Sequence, residues 1–96
     1  MTPPRLTNDE IAARLLGSAW TLECAMIVRD LKFDDFVASI AFVDRVAEVA
    51  ETYDHHPDIL VHGWNKVKLS LTNHAAGGLT EIDFDMAARF DALLGA

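Results

Sequence analysis

The clearest periodicity in the chain is a two-residue alternation in its second half. Over the stretch Trp64 to Thr72, Val67, Leu69 and Leu71 point one way while Lys66, Lys68, Ser70 and Thr72 point the other. That is the pattern of a strand with one face on a core and one face wet. A helical period precedes it. Between Asp34 and Tyr53, Phe36, Ile40, Val43, Ala47 and Ala50 form one apolar stripe, and Phe42, Val46, Val49 and Tyr53 an adjoining one. Together they cover roughly half the helix circumference, wider than the ~100° a helix needs to pack on one core. One stripe is expected to cover a sheet and the other to meet a second subunit or another helix.

Local signals place the remaining elements. Met1 to Leu6 reads as a loose arm in which Pro3-Pro4 blocks regular structure. Thr7-Asn8-Asp9-Glu10 has the form of a capping box, so a helix is predicted at about residues 8–16, ended by Gly17. Trp20 to Leu22 and Cys24 to Phe33 read as strands, with no Asn-Gly or Asp-Gly to mark the turn between them. Asp34-Asp35 suits the positive end of the long helix. Ile59 to His62 is a further short strand, and Gly63 suggests a turn or bulge. After a glycine-containing loop from Asn73 to Gly78, Thr80 caps a last helix with Asp83 at its third position and Ile82, Met86, Phe90 and Leu93 on its inner face. The order α-β-β-α-β-β-α predicts an α+β fold: a four-stranded antiparallel sheet with three helices on one face, formed by residues 7–96 as one domain.

Composition narrows the function. At 96 residues and 51% hydrophobic content the chain can bury one core, although a chain this small gains by self-association. A net charge of −7 disfavours phosphate backbones, so no direct nucleic-acid partner is expected. The single cysteine, Cys24, excludes an intrachain disulfide and a cysteine-pair zinc motif. No apolar run nears the ~20 residues that cross a bilayer, and no signal core follows the N-terminus. A soluble, cytoplasmic protein is the expectation.

The candidate chemistry centres on His55-His56-Pro57. Proline disfavours helical geometry at the residue before it, so the long helix must end near Asp54 and leave the two imidazoles diverging from a corner. Histidine is the side chain best suited to proton transfer near neutral pH. Glu51 lies one turn upstream and can orient one ring. His74, where the best strand becomes a glycine loop, is a third candidate, and His62, inside a strand, a poorer one. The plain alternative is a polar loop whose histidines only meet solvent. Metal binding is a further reading, but adjacent histidines lack the His-x-x-x-His spacing that puts two ligands on one helix face. Asp83 has a sufficient local reason to exist, as an acid in the first turn of a helix. Trp20 and Trp64 have one in packing.

Several of these residues, taken in order, resemble one family. Ala50 to Asp58 (Ala-Glu-Thr-Tyr-Asp-His-His-Pro-Asp), Trp64-Asn65-Lys66-Val67, His74, and Gly77-Gly78-Leu79-Thr80-Glu81-Ile82-Asp83 are similar to the signature of the pterin-4a-carbinolamine dehydratases. Phe33-Asp34-Asp35-Phe36 and Trp20 extend the resemblance over about residues 7–94. The resemblance implies the same α-β-β-α-β-β-α fold. It also implies dehydration of 4a-hydroxytetrahydropterin to quinonoid dihydropterin, which recycles the pterin cofactor of aromatic amino acid hydroxylases. By position, the catalytic histidines become His55, His56 and His74. The acidic helpers become Glu51 and Asp83, and the tryptophan near the pterin becomes Trp20. No metal and no cofactor is implied, and a homodimer or homotetramer is. The alternative is a non-catalytic interaction or assembly partner on the same fold. Two departures stand out: Asn73 replaces the family's usual Thr before the third histidine, and the segment around Val61-His62-Gly63 is one residue longer than the common pattern. A bulge there would leave the strand faces in place, whereas a register slip would invert them.

Overall fold

The computed structural model describes residues 3–95. Its elements are α1 (Asn8–Leu15), β1 (Thr21–Glu23), β2 (Met26–Lys32), α2 (Phe36–Tyr53), β3 (Asp58–His62), β4 (Lys66–Leu71) and α3 (Glu81–Ala92). The strands form one antiparallel sheet in the order β1-β2-β4-β3. Both β2 and β3 run antiparallel to β4, so α2 carries the chain from β2 across to the far edge of the sheet. It thereby delivers His55-His56-Pro57 to the start of β3.

The expected capping box is present at α1. The Thr7 hydroxyl accepts from Glu10 N at 3.1 Å, and Thr7 N donates to Glu10 Oε1 at 2.9 Å, satisfying two of the helix's orphan donors. Leu6 N donates to Leu79 O at 2.8 Å, which ties the adjoining part of the N-terminal arm to the body; Met1 and Thr2 of that arm lie outside the described residues. At α2 it is Asp35 that caps, its carboxylate accepting from Ala38 N at 2.7 Å. The helix begins at Phe36 rather than at Asp34.

The core lies between the helices and one sheet face. Ile27 of β2, Val67, Leu69 and Leu71 of β4, Phe42 and Val46 of α2, and Met86 and Phe90 of α3 are all buried in it. The alternation expected for β4 is therefore observed, with one difference. Ser70, expected on a wet face, is buried, flanked in register by Val28 and Asp58. On α2 the buried line is Ser39, Phe42, Val46 and Ala50. Ile40 and Val43 are partly exposed, and Phe36 and Val37 are mostly open to solvent.

One turn falls where the sequence placed strand, and a second, marked by Gly63, runs two residues into the predicted strand. The β1–β2 hairpin turns at Cys24-Ala25, with Glu23 paired to Met26 and Cys24 at φ 56°. Cys24 therefore does not begin β2, and Trp20 precedes β1. The β3–β4 connection is Gly63-Trp64-Asn65, between the paired residues His62 and Lys66, with Gly63 at φ 54° and Trp64 at φ 56°. Trp64 is thus a turn residue, 61% exposed, rather than a core or strand residue. The ladder from Asp58↔Ser70 to His62↔Lys66 is uninterrupted. No bulge interrupts the strands, and Val67, Leu69 and Leu71 of β4 all face the core.

Candidate active site

The geometry of the candidate site starts from how α2 stops. Asp54 adopts left-handed backbone angles (φ 50°, ψ 44°), and its N–H donates to the carbonyls of Ala50 and Glu51. His55 N also donates to Ala50 O, at 3.1 Å. These bonds satisfy the last turn's carbonyls and fix the direction in which the next two residues leave. Pro57 then sends the chain into β3.

Each of the two adjacent imidazoles meets its own carboxylate. His55 Nε2 lies 2.7 Å from Asp83 Oδ1, and His56 Nε2 lies 2.5 Å from Glu51 Oε2. An ionised carboxylate only accepts, so both Nε2 atoms carry the hydrogen and both Nδ1 atoms are free of that bond. The two pairs differ in setting. Asp83 is 0% exposed, and its other oxygen accepts from Thr80 N at 2.9 Å and Thr80 Oγ1 at 3.4 Å. It is locked by the capping box of α3. Glu51 and His56 are exposed, so their contact with each other is solvated.

His74 stands on the loop that leaves β4. Asn73 and Gly78 form a β-bridge, Gly78 N donates to Asn73 O at 3.1 Å, and Gly77 N donates to His74 O at 3.1 Å. The Asn73 side chain accepts from Ala76 N at 3.1 Å. Asn73 thus holds the His74 loop closed. His74 lines a cavity of ≈ 330 Å³ between the Cys24-Ala25 turn and the Gly77-Gly78 loop, without His55 or His56 in its walls. All three histidines nonetheless belong to the same end of the sheet. The ladder there ends at Asp58↔Ser70, with His55-His56 just before Asp58 and His74 just after the end of β4.

Trp20 is elsewhere. It is 3% exposed and belongs to the core, and its indole N–H donates to Asp91 Oδ1 at 2.9 Å. Arg29 Nη1 reaches the same oxygen at 2.5 Å. The cavity Trp20 lines contains none of the histidines. His62 lies at the opposite end of β3 from the histidine pair. Among the described residues no group of three or more His, Cys, Asp or Glu is placed to hold a metal ion, and no helix is long and apolar enough to cross a membrane.

Comparison with known proteins agrees with this fold. Residues 4–93 match the family model of pterin 4 alpha carbinolamine dehydratase. The chain belongs to that family. A relative from Acidobacterium capsulatum, provisionally named a pterin-4-alpha-carbinolamine dehydratase, is 52% identical over 91 residues, covering 94% of this chain and 98% of its own. A relative of the same provisional name from Chloroflexus aurantiacus is 50% identical over 93 residues, covering 96% of this chain and 99% of its own. Among solved structures, a transcriptional coactivator/pterin dehydratase from Brucella melitensis superposes with a TM-score of 0.86 at 34% identity, covering 93% of this chain and 97% of that one. A pterin dehydratase-like protein described as a RuBisCO assembly factor in the alpha-carboxysome has a TM-score of 0.65 at 28% identity, covering 80% of this chain and 88% of that one.

Proposed function

We propose that this chain dehydrates 4a-hydroxytetrahydropterins to quinonoid dihydropterins and water by histidine acid/base catalysis, recycling a pterin cofactor of aromatic amino acid hydroxylases. The observation that carries the reading is the pairing of two adjacent imidazoles with separate carboxylates, His55 with Asp83 and His56 with Glu51. Membership of the dehydratase family supports the substrate class.

The reaction breaks the C4a–O bond and removes a proton from a ring nitrogen, whose electron pair forms the new C=N bond. An acid must protonate the departing oxygen, and a base must take the nitrogen proton. A carboxylate behind an imidazole fixes its tautomer and stabilises the imidazolium formed when it accepts a proton. His55 and His56 present Nδ1 in that state, and their two rings form one wall of the site. His74, on its own loop, supplies the other wall. Trp20 has only an indirect place in this scheme, through the Asp91 contact that joins α3 to the sheet. Each proton transfer is worth about 10²–10⁴-fold in rate. The test is loss of the absorbance of enzymatically generated 4a-hydroxytetrahydropterin with and without the protein. Acceleration over the spontaneous rate is expected, and its absence overturns the reading.

One observation favours a second role on the same fold. Phe36 and Val37 expose a large apolar surface on the first turn of α2, and two structural relatives are described as a coactivator and an assembly factor. That face suits a homodimer or homotetramer in the cytoplasm, or a helical partner. A monomeric mass by light scattering, together with no foreign protein recovered in stoichiometric amount, would remove this second role.

A further inference from the structure

A larger cavity of ≈ 690 Å³ adjoins the one that His74 lines, and the two share Cys24, Ala25, Gly77 and Gly78 as walls. Its size falls in the range of about 300–1,000 Å³ typical of small-molecule sites. Its outer walls include Arg5, Thr7 and Asn8 at the entrance to α1, and Leu22 of β1. No Asp or Glu lines it among the described residues, although the chain carries 15 acids against 8 Lys and Arg. Arg5 has no carboxylate partner among the described residues.

Two features hold Arg5 in place. The bond from Leu6 N to Leu79 O and the Thr7 cap fix the backbone on its C-terminal side. Its aliphatic stem lies over Gly78, where an added Cβ would come within 3.2 Å of Arg5 Cδ. The absence of a side chain at residue 78 is what lets the arginine lie across the wall between the two cavities.

We propose that this second cavity receives an anionic substituent on the C6 side chain of the pterin, a carboxylate or a phosphate, with Arg5 as its counter-charge. The inference rests on the dehydratase reading and adds a substrate class to it. C6 is two bonds from C4a, through the ring nitrogen that loses its proton. A C6 side chain therefore leaves from the edge of the ring that the histidines must approach. With the reacting edge at His74, the adjoining cavity is the space open to that side chain. A guanidinium binds carboxylate and phosphate through paired N–H donors, and lysine reproduces the charge without the fork.

The test is calorimetric titration of the whole chain and of its Arg5→Gln and Arg5→Lys variants. Three probes are used: 7,8-dihydrobiopterin, whose side chain is neutral; dihydrofolate, whose side chain ends in glutamate; and a 7,8-dihydroneopterin phosphate. The expected result is that Arg5→Gln weakens one or both anionic probes at least tenfold relative to the neutral one, and that Arg5→Lys loses less. A loss confined to dihydrofolate identifies a carboxylate ligand, and a loss confined to the phosphate ester identifies a phosphate. An unchanged ratio of anionic to neutral affinity in Arg5→Gln overturns the inference while leaving the dehydratase reading intact. Failure of the unmutated chain to bind any of the three would remove both.

Discussion

Asp83 joins the fold to the proposed chemistry, so its replacement separates the two. It is fully buried, caps α3 through Thr80 N and Thr80 Oγ1, and holds His55 Nε2 at 2.7 Å. Asp83→Ala removes the cap interaction, worth about 1 kcal/mol, and leaves buried Thr80 donors unpaired at about 1–3 kcal/mol. The expected loss is about 2–4 kcal/mol, or about 10–30 °C in Tm at 4–8 °C per kcal/mol for a domain of this size. Asp83→Asn is more discriminating. Its amide oxygen can still accept from Thr80 N, so the stability loss should stay near about 1 kcal/mol, the difference between charged and neutral hydrogen bonds. Its NH2 then faces His55 and can only donate, which forces the imidazole hydrogen from Nε2 to Nδ1. Turnover should fall by about 10²-fold or more. Melting by far-UV circular dichroism, imidazole nitrogen spectra and the dehydration rate read the three effects separately. A folded Asp83→Asn protein with the His55 tautomer and the rate unchanged would refute the reasoning.

Other consequences follow from single contacts. The backbone and hydroxyl of Thr7 hold the Glu10 carboxyl below its ordinary 4.5. A depressed carboxyl stabilises the fold above its unfolded pKa and loses that effect as pH falls through the lower folded value. Amide protection factors at the start of α1, each taken against intrinsic exchange at the same pH, should therefore fall on acidification below about pH 4.5, and less so in Glu10→Gln. Asp54→Gly should raise Tm by about 4–8 °C, because a left-handed residue with a Cβ costs about 1 kcal/mol that glycine avoids. Phe42→Ala removes a buried ring packed 5.1 Å from that of Phe33 and should cost about 3–5 kcal/mol in denaturant unfolding. Trp20→Phe deletes one donor to Asp91 but leaves Arg29, so its cost should stay near about 1 kcal/mol.

The elements legible in the sequence are those whose signals are local or strictly periodic. The Thr7–Glu10 capping box and the alternation of Val67, Leu69 and Leu71 reappear in the structure as read. The end of α2 before His55-His56-Pro57 follows from proline sterics alone. Gly63 marked the β3–β4 turn, but the β1–β2 turn and the place of Trp64 were not legible, because Cys24 and Trp64 occupy left-handed backbone angles that cysteine and tryptophan do not advertise. Cross-strand pairing holds those angles, and no local preference of these residues favours them. Of the site, His55, His56 and Glu51 were visible as residue types at a helix end, and His74 as one where a strand becomes a glycine loop. The hydrogen bond of Asp83 with His55 was not, because 28 residues separate them and Asp83 has a sufficient local role as a cap. The role of Asn73 in closing the His74 loop likewise depends on a turn that only the folded backbone shows. Arg5 gave no signal in an arm read as loose. Its position depends on the pairing of Leu6 with Leu79 and on the bare backbone at Gly78.

The central claim is that His55, His56 and His74 together move the protons of one dehydration. Its most direct test is the catalysed rate of 4a-hydroxytetrahydropterin loss for His55→Ala, His56→Ala and His74→Ala, each shown by circular dichroism to be folded. The account predicts that each single variant loses about 10²-fold or more of the acceleration over the spontaneous reaction. Three folded variants that all retain the full rate would contradict it.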